Sequence, residues 1–170
     1  MQRTLERILK TDDSLGPTIL RVSLGTVMFA HGAQKALGWF GGYGYGATMD
    51  YLTGPGGLPW LIAFLVIAIE LVGSLALIAG AGGRAAALGV GAVMLGAILT
   101  VHAKVGFFMN WGGAQPGEGY EYHLLAIALA AGVVIAGSGA YSVDRWLTRK
   151  LESRSPATSR AGEIGARWAS

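Results

Sequence analysis

Apolar residues in this chain gather into four long runs, 17–40, 58–80, 85–108 and 123–143, separated by stretches rich in glycine, aromatic residues and proline. Each run approaches the ~20 residues that a helix rising ~1.5 Å per residue needs to cross about 30 Å of hydrocarbon. Lipid offers no partner to backbone N–H and C=O groups, so such runs are expected as helices. The pattern therefore predicts an all-α membrane protein: a four-transmembrane-helix up-down bundle within residues 15–147. In residues 1–14, Leu5, Ile8 and Leu9 form one apolar stripe, expected as an amphipathic helix at the membrane interface. Residues 148–170 turn to Arg, Ser, Glu and Pro, and are expected to be a basic tail, disordered or loosely interfacial.

The connections differ in length. Runs two and three are joined by the tight Gly80-Ala81-Gly82-Gly83-Arg84 turn, which implies an antiparallel hairpin. The other two connections, 41–57 and 109–122, are longer and contain no Lys or Arg. The leading region does not suit a cleaved signal sequence, because Glu6, Asp12 and Asp13 precede the first run and Arg21, His31 and Lys35 interrupt it.

Composition supports the membrane class. Charged residues make up 14% of the 170 residues, against roughly 25% in soluble domains, and 52% are hydrophobic. Disorder of the whole chain is excluded by that hydrophobicity. The absence of cysteine excludes disulfides, thiolate-bound metals and thiol relays. Ten of the thirteen basic residues precede run one, follow run four or sit in the middle turn, which puts both termini in the cytoplasm by the positive-inside rule. Trp39, Phe40, Tyr43, Tyr45, Trp60, Phe108 and Trp111 mark the opposite interface. The net charge of +3 is thus accounted for by topology and anionic lipid headgroups, and nucleic acid is not an expected partner.

A faint internal repeat links the two hairpins. Leu24-Gly25, His31 and Gly38-Trp39-Phe40 in run one parallel Leu95-Gly96, His102 and Gly106-Phe107-Phe108 in run three. Chance similarity between Gly/Ala-rich helices produces the same pattern, so both readings stand. Small residues recur every four positions, as Ala92, Gly96 and Thr100 in run three and as Ala128, Gly132, Ala136 and Ala140 in run four. Bundle packing in lipid relies on such faces, and Gly96 and Gly132 are the expected packing positions. Homo-oligomer formation would use the same faces.

Ionisable residues within the hydrocarbon cost about 2.5–3.5 kcal/mol each even on the lenient insertion scale, so each needs a reason. They are Arg21, His31 and Lys35 in run one, Glu70 in run two, His102 and Lys104 in run three, and Glu121 and His123 at the start of run four. Lys35 and Lys104 are able to snorkel to the outer headgroups, and Glu121 and His123 suit an interface. Glu70 lies too deep for that, and Arg21 is its expected partner in a buried ion pair. His31 and His102 suit satisfied interior histidines; nothing specifies haem axial geometry, so haem is disfavoured, and no metal site is expected.

These residues carry a resemblance. Arg21, Gly25, His31-Gly32 and Lys35, then Glu70, Gly73, Gly80 and Arg84, then His102 with Gly106-Phe107-Phe108, resemble the DoxX family. Glu121, Gly137-Ser138-Gly139 and Ser142-Val143-Asp144 continue the likeness, which spans roughly residues 15–147. The resemblance implies a small four-helix, multi-pass protein of a bacterial or archaeal plasma (inner) membrane. Some relatives are subunits of quinone-linked oxidoreductases and others associate with redox-stress enzymes. Three functions follow as alternatives. The favoured one is a membrane subunit of, or partner to, a quinone-linked or redox-stress oxidoreductase, with catalysis not carried by this chain alone. Arg21, His31, Lys35, Glu70, His102 and Glu121 would then form a proton-relay or quinone-contact cluster, since histidine and glutamate can exchange protons with a reduced quinone. The others are a non-catalytic membrane scaffold, whose buried charges only fix helix register, and a small permease.

Overall fold

The computed structural model describes residue 11 and residues 13–154. The expected interfacial helix of residues 1–14 and the end of the expected tail lie largely outside the described residues. Six helices account for the fold, with no strand among the described residues. They are α1 (Leu15–Leu37), α2 (Gly44–Thr53), α3 (Trp60–Ala79), α4 (Gly83–Thr100), α5 (Glu121–Ala136) and α6 (Val143–Arg154).

Helices α1, α3, α4 and α5 run alternately up and down. At one end, here the base, Arg21 of α1 bonds to carbonyls of Leu77 and Ser138, and the start of α4 meets Asp144. At the other end, the top, Lys35 meets Glu70, His31 meets Tyr122 and His102 meets His123. Between them lies one apolar core built from Leu24 and Met28 of α1, Leu77 of α3, Ala87, Val90 and Met94 of α4, and Ala126, Ala130 and Val133 of α5. Two helices, Trp60–Ala79 and Gly83–Thr100, are long and apolar enough to cross a membrane; α5 is a shorter apolar helix.

Glycine sets both the ends and the approach of these helices. Gly38 ends α1 in the left-handed conformation (φ 71°), and Gly80 ends α3 in the same way (φ 67°). Within α1, a Cβ on Gly32 would lie 2.5 Å from the carbonyl carbon of Glu70, and one on Gly25 would lie 2.9 Å from the carbonyl oxygen of Ser74. The backbones of α1 and α3 therefore touch along two turns, the close approach that packing in lipid favours.

Several boundaries differ from the sequence expectation. The third run was expected to stay helical to 108, but α4 stops at Thr100 and a short 3-10 turn, His102–Lys104, follows. Beyond it the chain folds back: Tyr120 N–H donates to Gly106 O (3.1 Å) and Glu121 N–H to Phe107 O (2.9 Å). These cross-loop bonds take the place of further helical ones. The fourth run was expected to reach 143, but α5 ends at Ala136 and the residues after it serve the base. The connection 41–57 contains α2, which buries Thr48 and Met49, with Met49 packed against Ala63 and Ile67 of α3. The inward face of α4 is Gly83, Ala87, Val90 and Met94, and that of α5 is His123, Ala126, Ala130 and Val133. The expected faces are displaced from these: Ala92, Thr100 and Ala128 are exposed, and a Cβ on Gly96 would meet nothing within 4 Å. Gly132 stands against α1, where a Cβ would lie 2.8 Å from Leu20 Cδ1.

Candidate functional site

Polar groups inside the bundle separate into two clusters, one at each end.

The base is a clasp built on Arg21, which is 1% exposed. Helix α3 ends here with last-turn carbonyls that lack a helical donor, and the irregular connection 137–142 after α5 presents further carbonyls without helical partners. The Arg21 guanidinium supplies them. Nε donates to Ser138 O (2.7 Å), Nη1 to Leu77 O (2.9 Å) and Ile78 O, and Nη2 to Tyr141 O (2.8 Å) and Ala140 O (3.3 Å). A positive charge at helix C-termini is also favoured by the helix dipole. The mirror group is Asp144, likewise buried, at the start of α4. Its carboxylate accepts the N–H groups of Gly82 (2.8 Å) and Gly83 (3.0 Å) and the hydroxyl of Ser138 (2.6 Å).

The expected Arg21–Glu70 pair is therefore corrected. Gly25 lies against Ser74 and Ile78, and Gly32 against Glu70, which sets the register of α1 on α3. Arg21 is then level with the end of α3, about ten residues or ~15 Å of helix rise from Glu70. That exceeds the reach of its side chain, and the free carbonyls are beside it.

Glu70 pairs instead with Lys35, whose Nζ donates to Oε2. Side chains on a helix lean toward its N-terminus, so Lys35 leans down past Gly32 onto the acidic residue opposite. Glu70 is 3% exposed and Lys35 31%, so the pair is buried at its acidic end and reaches outward at its basic end. Glu70 sits in a π-helical turn, Ile69–Gly73, a local widening often found where a helix carries function.

Aromatic and imidazole rings line the rest of the top. His31 lies 5.7 Å, centroid to centroid, from Tyr122, whose hydroxyl donates to Met28 Sδ (3.5 Å). Tyr122 meets His123 at 5.4 Å, and His123 meets His102 at 4.1 Å. His102 Nδ1 lies 2.8 Å from Glu118 O, while the Nδ1 of buried His123 has no hydrogen-bond partner. All three histidines of the chain thus gather at one end. Among the described residues, no group of three or more His, Asp or Glu side chains is placed to hold a metal ion.

Of the residues singled out from sequence, His31, Lys35, Glu70 and His102 come together at the top. Arg21 belongs to the base. Glu121 turns to the loop, where Oε1 accepts from Met109 N–H (3.1 Å) and Trp111 Nε1 (3.4 Å). Sequence reasoning placed neither Tyr122 nor His123 in the candidate cluster, reading both as residues of the membrane interface. It quoted Ser138 and Asp144 as a motif without a function. A signal for Asp144 was present: a carboxylate following a Gly-Ser-Gly break, near a Gly-rich helix start.

Up-and-down apolar helices, a buried ion pair and a gathering of rings at one end define a small all-α protein with membrane character. The chain belongs to the DoxX family, whose family model matches residues 16–103, more than half of its length. The match contains Arg21, His31, Lys35, Glu70 and His102 and ends before Tyr122 and His123. The chain is also 28% identical over 130 residues to the Bacillus subtilis (strain 168) protein named "Putative oxidoreductase CatD", covering 76% of this chain and 85% of that relative. No solved structure matches it.

Proposed function

We propose that this chain is a multi-pass plasma-membrane protein in which α1, α3, α4 and α5 are the four spans and both termini are cytoplasmic. It serves as the membrane subunit of, or partner to, a quinone-linked oxidoreductase, and the top cluster is where quinone makes contact. The observation that carries this reading is the Lys35–Glu70 pair, deep at one end and bordered by His31, Tyr122 and the other two histidines. A buried ion pair seldom repays its desolvation through stability alone, and within a membrane such a pair is functional by default. A quinone headgroup needs hydrogen-bond donors and a proton source beside apolar walls. Lys35, the imidazoles and the unpartnered His123 Nδ1 fit that need. The name of the Bacillus subtilis relative contains the word oxidoreductase, which favours a redox role without specifying quinone.

Two measurements test it together. The protein is purified from native membranes, and co-purifying subunits are identified alongside quinol-dependent reduction by the complex. Single cysteines at Gly46 and Gly112, where a side chain meets nothing within 4 Å, should react with an impermeant reagent in intact cells, and one at Ser153 should not. A complex inert toward quinone eliminates the function, and reversed labelling eliminates the topology.

A further inference from the structure

Helix α6 has two faces, and the bundle uses only one. On the inner side Asp144 is locked into the base and accepts the Gly82 and Gly83 amides, while its own N–H donates to Gly80 O (3.0 Å). Arg145 is held by both carboxylate oxygens of Asp13, and Arg149 reaches the same group at 3.1 Å. These bonds fix how the helix is rotated.

The outer side carries Val143, Trp146 and Lys150, all exposed, with half-buried Leu147 beside them, and Arg149 lies at its edge, with one guanidinium nitrogen on Asp13 and the side chain still 63% exposed. Trp146 is 58% exposed, and the Lys150 ammonium lies 4.7 Å from its ring centroid. An exposed tryptophan flanked by aliphatic residues is poorly suited to water, and two adjacent cations are poorly suited to hydrocarbon. Together they suit the boundary between headgroups and acyl chains. The surroundings point to the same place. Tyr141, 87% exposed, immediately precedes the helix, and Leu15, Ile19, Leu88 and Ile135 are exposed on the bundle at this end. The apolar belt that lipid would cover thus runs up to α6. The two top connections, 41–57 and 109–122, contain no Lys or Arg, so among the described residues the cations cluster on the base side, with Lys35 and Lys104 the exceptions at the top.

We propose that α6 is an in-plane anchor for anionic phospholipid of the surrounding bilayer, with Trp146 at the glycerol level and Arg149 and Lys150 on headgroup phosphates. Asp13 retains Arg145 and steadies the helix from the protein side. The proposal rests on the membrane-spanning reading above. It adds a lipid-recognition surface independent of the redox cluster.

The test uses the full chain in nanodiscs and single-tryptophan variants, one keeping Trp146 and one keeping Trp60. The discs contain lipid brominated near the glycerol end of one acyl chain, either in phosphatidylcholine alone or with phosphatidylglycerol added. Trp146 emission is expected to be quenched and blue-shifted in the phosphatidylglycerol discs and much less in phosphatidylcholine. Arg149→Gln and Lys150→Gln should each lower the docked population about 5-fold in the former only. Equal quenching in both lipids overturns anionic recognition. Absence of Trp146 quenching where Trp60 is quenched overturns the anchor and leaves the face to a partner protein or a second copy. Unquenched Trp60 would overturn the spanning reading itself, and the anchor with it.

Discussion

Arg21 and Asp144 meet on one residue: the Ser138 carbonyl accepts the Arg21 Nε–H at 2.7 Å, and the Ser138 hydroxyl donates to Asp144 at 2.6 Å. Through this single serine, the group that supplies donors to the end of α3 and to the connection after α5 is joined to the group that supplies acceptors to the start of α4. Two helix ends and the connection 137–142 are thereby satisfied by two charged side chains, which explains how an arginine is kept inside an otherwise apolar bundle.

The clasp predicts an unequal pair of substitutions. Leu77 O also takes the Gly80 N–H and Ala140 O the Thr18 hydroxyl, so Ile78, Ser138 and Tyr141 O are the carbonyls that depend on Arg21. Arg21→Lys keeps the charge but replaces the wide guanidinium fork with a single ammonium, leaving at least one of the three without a partner. At about 1–3 kcal/mol per unsatisfied buried group, the loss should be roughly 2 kcal/mol. Asp144→Asn keeps the shape and one acceptor and should cost about 1 kcal/mol, as loss of a helix cap commonly does. Thermal unfolding in detergent should rank wild type above Asp144→Asn and both above Arg21→Lys. A lysine variant as stable as wild type would show that the carbonyls find other donors.

The helical class and the places of α1, α3, α4 and α5 were legible from the runs of apolar residues, because long apolar stretches between Gly-rich breaks bury their backbone polar groups most readily as helices. The partner of Arg21 was not, since it is a set of main-chain carbonyls, and every residue type carries those. Glu70 was legible as buried but not in its partner, because the choice between Arg21 and Lys35 depends on the register of α1 on α3. Gly25 and Gly32 fix that register by contact, and in sequence they are merely two glycines among 28. Helix α2 escaped notice because its buried face is little more than Thr48 and Met49.

Glycine substitutions separate touching from open positions. Gly32→Ala drives a methyl into the Glu70 peptide, where backbone must move, and should lower stability by about 1–3 kcal/mol. Gly132→Leu presses on the flexible end of Leu20 and should fall at the lower end of that range. Gly96→Ala should stabilise a monomer by up to about 1 kcal/mol, because open helical glycine costs that much relative to alanine. Size-exclusion chromatography with light scattering, run beside the melts, decides the remaining issue: an oligomer dispersed by Gly96→Ala would assign that face to self-association.

The attachment of α6 should depend on pH through Asp13. The hydrogen bond from Arg145 is the main reason its carboxyl is held below the usual value of 3.8, with the nearby Arg145 and Arg149 charges adding to it. A depressed carboxylate contributes stability above its unfolded pKa and loses it as pH falls through the folded one. Docking should therefore be intact at neutral pH and loosen only below about pH 4. Amide exchange along α6, followed as pH is lowered, should show this. Asp13→Asn should exchange faster already at neutral pH. Identical exchange in the variant would mean that Asp144 alone holds the helix.

The Lys35–Glu70 pair should respond asymmetrically, because its two ends differ in access to the outside. Glu70→Gln leaves a lysine that can extend outward, so stability should fall modestly. Lys35→Met leaves the carboxylate buried without a counter-charge, and breaking a buried pair in that way commonly costs about 3–5 kcal/mol. The double variant Lys35→Met/Glu70→Gln should recover most of that loss. Function should follow a different order. If the pair and His31 exchange protons with quinone, Glu70→Gln and His31→Ala should both lower quinol-linked turnover of the purified complex about 100-fold, the low end for a general acid–base group, while subunit composition stays the same. Full turnover in both variants would leave the pair a structural device that fixes α1 against α3. Loss of turnover together with loss of the partner subunits would place the pair at an assembly interface instead.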